Sequence, residues 1–184
     1  MRTVSNEPTP IWPRPDRSRR GGASYSAQTL AAAGLTPGAS ITHDGLTFTW
    51  PNAQPGTLDN VVAGGQAILV SGTGSTLGLL GTGDYGAGSG NVIITYTDGT
   101  TQTTAVTFPD WWSKTAPAGG DILATMPYIN TATGQLNQGG VSVYYVPVPL
   151  QAGKTIQSVV LPDVSPSPPQ TGVTALHIFA MSIG

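Results

Sequence analysis

The chain contains no cysteine. A disulfide scaffold and a thiolate metal site are therefore excluded, and the redox compartment stays undecided. Charge is almost as scarce, since Asp, Glu, Lys and Arg make up only 9% of 184 residues. From residue 21 onward there is no Glu and no Arg; two lysines (Lys114, Lys154) face seven aspartates. Helical surfaces lean on Glu, Lys and Arg, so this poverty argues against a helical fold. Only two histidines are present, His43 and His177, without the H-x-x-x-H spacing of a zinc site. No apolar run approaches the roughly 18–20 residues of a membrane-spanning helix, so no membrane partner is expected. A weakly acidic body predicts no nucleic-acid partner either.

What is abundant is Gly (25), Pro (16) and β-branched residues in alternation. Residues 91–112 give the strongest local signal. Two alternating runs flank Asp98-Gly99, the signature of a hairpin whose turn positions favour φ > 0. Val92, Ile94 and Tyr96 share one face, and Gln102, Thr104, Val106 and Phe108 share another. Asp44-Gly45 marks a second tight turn, after which Leu46, Phe48 and Trp50 form a half-buried face. Ser24 or Ser26 caps a short helix through Ala33, with Gly34 as its left-handed stop and Leu35 behind it. Further strands are expected at 66–70, 122–126, 141–146, 154–161 and 175–183. Residues 51–65, 71–90, 113–121, 131–140 and 162–172 read as loops, and Pro147 and Pro149 place the end of the 141–146 strand at a sheet edge. Residues 1–22, with Pro13–Arg20 and Gly21-Gly22, read as an irregular, disordered tail, and 23–184 as one domain. The resulting expectation is an all-β, jelly-roll-like β-sandwich with one short N-terminal helix.

Catalytic patterns are missing. No G-x-S-x-G elbow occurs, and no catalytic residue is assigned. Gly81, Gly83 and Gly86 formally match G-x-G-x-x-G, but a strand is expected next where a dinucleotide site needs a helix, so no cofactor is expected there. No metal ligand is assigned, although a structural calcium site of carboxylates and carbonyls needs no fixed spacing and stays open. After turn roles are given to Asp44, Asp98 and Asp163, four carboxylates remain: Asp59, Asp84, Asp110 and Asp121. A glycosidase would need two of them across a sugar. The better candidates are aromatic, because sugars stack C–H faces on Trp and Tyr and are read at the rim by Asp and Asn. The ligand-binding candidates are Trp111, Trp112 and Asp110, then Tyr128 and Asn130, then Tyr85 and Asp84. Adjacent tryptophans point to opposite faces, so one is core and at most one is exposed.

The segments YSAQTLAAAGLTPG (25–38), DGLTFTWPNA (44–53), DNVVAGGQ (59–66), GSTLGLLGTG (74–83), ITYTDGTTQ (94–102), FPDWW (108–112), ATMPYIN (124–130), VPLQAGKTIQSVVLP (148–162) and LHIFAMSIG (176–184) occur in an order that resembles one family. It is a galactose-binding-domain-like accessory module appended to secreted bacterial glycoside hydrolases, mainly of the α-mannosidase and related types, and to some phosphoesterases. The resemblance spans residues 24–184 and departs at Pro13–Arg20, where the family carries an acidic, Asn/Asp/Gly-rich lead-in. It implies an extracellular, non-catalytic module with carbohydrate and the parent enzyme's catalytic domain as partners, and it marks this chain as a piece of a larger enzyme. Two rival readings accompany it: a spacer or docking domain without a sugar ligand, and a small carboxylate-dependent glycosidase.

Overall fold

The computed structural model describes residues 23–131, 134–136, 139–166 and 170–184; the expected N-terminal tail lies outside them. The elements are β1 (Ser24–Tyr25), α1 (Ala27–Ala32), β2 (Ser40–His43), β3 (Leu46–Thr49), β4 (Val61–Val62), β5 (Ala67–Thr73), β6 (Thr76–Asp84), β7 (Gly88–Tyr96), β8 (Thr101–Phe108), β9 (Asp121–Met126), β10 (Ile129–Thr131), β11 (Gly134–Leu136), β12 (Val141–Pro149), β13 (Thr155–Val160) and β14 (Ala175–Ile183).

The molecule is an all-β sandwich with one short helix. A five-stranded sheet, β4-β14-β6-β12-β9, faces a four-stranded sheet, β5-β13-β7-β8. Eight strands pair as nested hairpins: β7 with β8 innermost, then β6 with β12, β5 with β13, and β4 with β14 outermost. Folding that long hairpin over on itself adds the β14–β6 and β13–β7 pairings. This nesting is the jelly-roll arrangement.

The innermost hairpin has the expected faces. Val92, Ile94 and Tyr96 are fully buried, with Val92 opposite Thr104 and Ile94 opposite Gln102. Its turn corrects one detail, because only Gly99 has positive φ (83°) and its N–H donates to the Tyr96 carbonyl. Asp98-Gly99 thus occupies the third and fourth positions of the turn, with Gly99 as the left-handed residue that re-enters the ladder. In the β2–β3 hairpin both Asp44 (φ 49°) and Gly45 (φ 73°) are left-handed, the two-residue form. The helix ends as expected: Gly34 is left-handed, and Leu35 N–H returns to the Leu30 carbonyl at 2.8 Å.

Several expectations are overturned: residues 51–65 and 131–140, read as loops, carry the short strands β4 and β11. Residues 71–90, read as a loop, contain the end of β5, all of β6 and the start of β7, and β6 is the middle strand of the larger sheet. Its glycines are there for close packing. A Cβ on Gly78 would lie 2.5 Å from Leu46 Cδ1 and 2.6 Å from Phe48 Cζ, and one on Gly83 would lie 2.5 Å from the Gly86 carbonyl oxygen. The strand read as ending at Val146 runs on to Pro149. β9 pairs with β12 only as far as Tyr145, whereas β6 pairs with it through Pro149. Pro147 and Pro149 therefore sit where one side of the strand is open, and their missing N–H groups leave no ladder bond unmade.

The larger sheet is covered on both faces, which is why β12 and β14 are buried almost throughout. Leu77, Leu79, Tyr144, Val146, Leu176 and Ile178 face the smaller sheet. On the opposite face, Leu80, Tyr145 and Ala180 meet Leu46 and Phe48 of the β2–β3 hairpin. Beside them Val141, Val143 and Phe179 meet Tyr25, Leu30, Trp50 and Trp111. Trp50 stacks on Phe179 at 4.9 Å with the planes 21° apart.

Candidate functional site

The candidate residues lie on three segments, the end of β6, the turn after β8, and β10 where it pairs with β1. Pro109 terminates β8, and the chain then folds into a turn organised by Asp110. Its Oδ1 accepts the Trp112 N–H at 2.9 Å and its Oδ2 accepts the Gly86 N–H at 2.7 Å. Its carbonyl accepts the Ser113 N–H and the Tyr144 hydroxyl. Gly83 is bridged to the same segment, donating to the Pro109 carbonyl and accepting from the Trp111 N–H. One carboxylate thus knits the 84–86 corner to the 110–112 turn, which makes Asp110 first a positioning residue.

The two tryptophans part company here. Trp111 is 2% exposed, in edge contact with Tyr25 at 5.4 Å, and presents no open face. Trp112 is half-buried and set against Trp111 at 5.6 Å and 60°, leaving part of its indole at the surface. Tyr25 links the cluster to the next candidates: its hydroxyl donates to the Ser142 carbonyl at 2.7 Å, and its backbone pairs with Ile129. Tyr128 and Asn130 flank Ile129, both half-buried, with Asn130 opposite Ser24. Tyr85 is exposed at the 84–86 corner in the left-handed region (φ 53°). Asp84 is 4% exposed, with Oδ1 accepting the Tyr85 N–H at 2.9 Å. Burial pushes its carboxyl up to about 7, aided by the neighbouring Asp110 charge and opposed by that N–H. Asp84 is thus held inside rather than presented at the rim.

The Gly81–Gly86 motif leads into β7, not a helix, so it forms no pyrophosphate cradle. His43 and His177 have partners that no spacing announced. His43 Nε2 lies 3.0 Å from Asp121 Oδ2, and its ring meets Tyr145, whose hydroxyl donates to Asp44 Oδ2 at 3.0 Å. This constellation fastens the β2–β3 turn to β9 and β12. His177 is fully buried; its Nδ1–H donates to Asn60 Oδ1 at 2.9 Å, and Asn60 in turn donates to Asp59 at 3.0 Å. His177 Nε2 has no partner, and burial holds the imidazole down at about 4. Burial also raises the Asp59 carboxyl.

Among the described residues, no group of three or more His, Cys, Asp or Glu converges where a metal ion could sit. No helix among them is long and apolar enough to cross a membrane. No family model matches the chain, and no curated protein matches it.

Proposed function

We propose that this domain is a non-catalytic carbohydrate-binding or substrate-targeting module of a secreted glycoside hydrolase, with Trp112 as its stacking residue. The carrying observation is the pose of Trp112. Among the described tryptophans it is the one that is only half-buried, its backbone N–H is fixed by Asp110, and its ring meets the buried Trp111 edge-on. A sugar ring landing on a pre-set indole orders no loop, so its binding free energy is not spent on side-chain entropy. In this reading Tyr85, Tyr128 and Asn130, all at least partly exposed, are the side chains that would supply polar contacts for hydroxyls. The family resemblance of nine ordered segments points the same way, and it alone names the parent enzyme and an extracellular setting.

The test is a glycan array and affinity gel with wild type, Trp112→Ala and Tyr128→Ala. Loss of one stacked sugar contact lowers affinity by about ten-fold, roughly 1.4 kcal/mol. Unchanged retention of every glycan in Trp112→Ala overturns stacking and leaves the spacer reading. Glycoside hydrolysis abolished in Asp84→Asn or Asp110→Asn would instead identify the small hydrolase.

A further inference from the structure

The four-stranded sheet turns one face to the core and the other to solvent. None of the residues in Ala67–Thr73, Gly88–Tyr96, Thr101–Phe108 or Thr155–Val160 is Asp, Glu, Lys, Arg or His. The charges that flank these strands at one end, Asp98 and Lys154, pair with each other at 2.9 Å. Register sets the outward side chains in rows. Ala67, Val160, Ile93 and Thr103 lie abreast, and Leu69, Ser158, Thr95 and Thr101 form the next row. Leu69 is 73% exposed and Ile93 37%, and around them, beside Ala67, Ala105 and Val160, the face is Thr, Ser, Asn and Gln. Hydroxyls bond across strands at its margins, Thr73 to Thr155 at 2.8 Å and Ser89 to Thr107 at 3.0 Å. Among the described residues, the edge strands of this sheet, β5 and β8, pair with no further strand. Proteins usually guard such edges with lysine, proline or inward charge, and neither strand carries any of these.

We propose that this face adsorbs a neutral, polyhydroxylated polymer presented as a flat array, the surface of an insoluble polysaccharide. A polyanion or an anionic bilayer finds no cation here to repay its desolvation. A protein partner would bury many hydroxyl and amide groups, each costly unless paired. A polyhydroxyl surface offers donors and acceptors at every point, and its C–H faces meet Leu69, Ile93 and Val160. The face shares no residue with the Trp112 rim and stands whether or not that residue stacks on a sugar.

The experiment is depletion of the full chain from solution by suspended cellulose, chitin and mannan particles, at low and high sodium chloride. Wild type and Trp112→Ala are expected to adsorb to at least one of these, unaffected by salt. The double variant Leu69→Lys/Thr103→Lys is expected to lose about ten-fold in partition coefficient, with Leu69→Ala intermediate. Leu69 and Thr103 face solvent, so an unchanged thermal midpoint serves as the folding control for their variants, and cooperative unfolding serves for Trp112→Ala, whose site is half-buried. No depletion of wild type by any particle overturns the proposal, as does undiminished adsorption of the lysine variant. A wild-type dimer that the lysine variant dissolves also overturns it, because the face is then a contact between copies. Loss of soluble-glycan binding in Trp112→Ala with adsorption intact separates this surface from the rim site.

Discussion

Single residues in this domain differ sharply in what their removal should do, although the sequence presents several as equals. Trp111→Ala empties a site walled by Tyr25 and its neighbours and is expected to cost about 3–5 kcal/mol in a denaturant titration. Trp112→Ala should cost clearly less, while removing the exposed indole. Gly83→Ala is expected to destabilise by more than about 2 kcal/mol, since its Cβ would meet backbone atoms rather than a side chain that can swing away. Two buried titratable groups make opposite contributions to pH dependence. His177, held at about 4 against an ordinary 6.5, weakens the fold as pH falls from 6.5 to 4. Asp84, raised from 3.8 to about 7, contributes stability that is present below 3.8 and lost as pH rises to 7. Asp59, whose carboxyl burial also raises, adds to the Asp84 side, so the two carboxyls oppose His177 between pH 4 and 7. Asp84→Asn should therefore be more acid-sensitive than wild type across that window, and His177→Gln should lose more stability than wild type as pH rises. Identical pH profiles for Asp84→Asn and wild type would refute the assignment.

Elements show what was legible in the chain and why. The β7–β8 hairpin was readable because its faces and turn are specified within 22 residues, and Gly34 and Leu35 closed the helix as local chemistry requires. Gly99→Ala puts a Cβ into a left-handed position with nothing near it, so the cost is backbone strain alone, about 1 kcal/mol. Differential scanning calorimetry should show a fall of about 2–4 °C in Tm. β6 was not readable. Glycine density signals a loop when only local preference is considered, whereas Gly78 and Gly81 are selected by Phe48 and Phe108, distant in sequence, and Gly83 by the Phe108 carbonyl as well as by the nearby 86–88 backbone. The candidate site divides the same way. The split between the two tryptophans follows from alternation, but which one is buried depends on Tyr25, and the Asn60–His177 bond joins residues 117 positions apart.

At the scale of the molecule, nested pairing means that few contacts outside the β7–β8 and β2–β3 hairpins are local. The chain must close long loops before most of its ladders form, so folding is expected to be slow, on the order of milliseconds to seconds. The larger sheet, enclosed by the smaller sheet on one side and by α1 with the β2–β3 hairpin on the other, also sets a hierarchy of access to solvent. Amide protons of β6, paired on both sides and roofed on both faces, and those of β14 around His177 and Ile178, where β4 joins its second side, have no local opening by which to reach deuterated water. They should exchange only when the whole domain unfolds, and their rates would then report its global stability. Amides on the outer edge of β8 should exchange orders of magnitude sooner. A slow deuteration front confined to the middle of the molecule would thus take in β6, the glycine-bearing strand at the centre of the larger sheet.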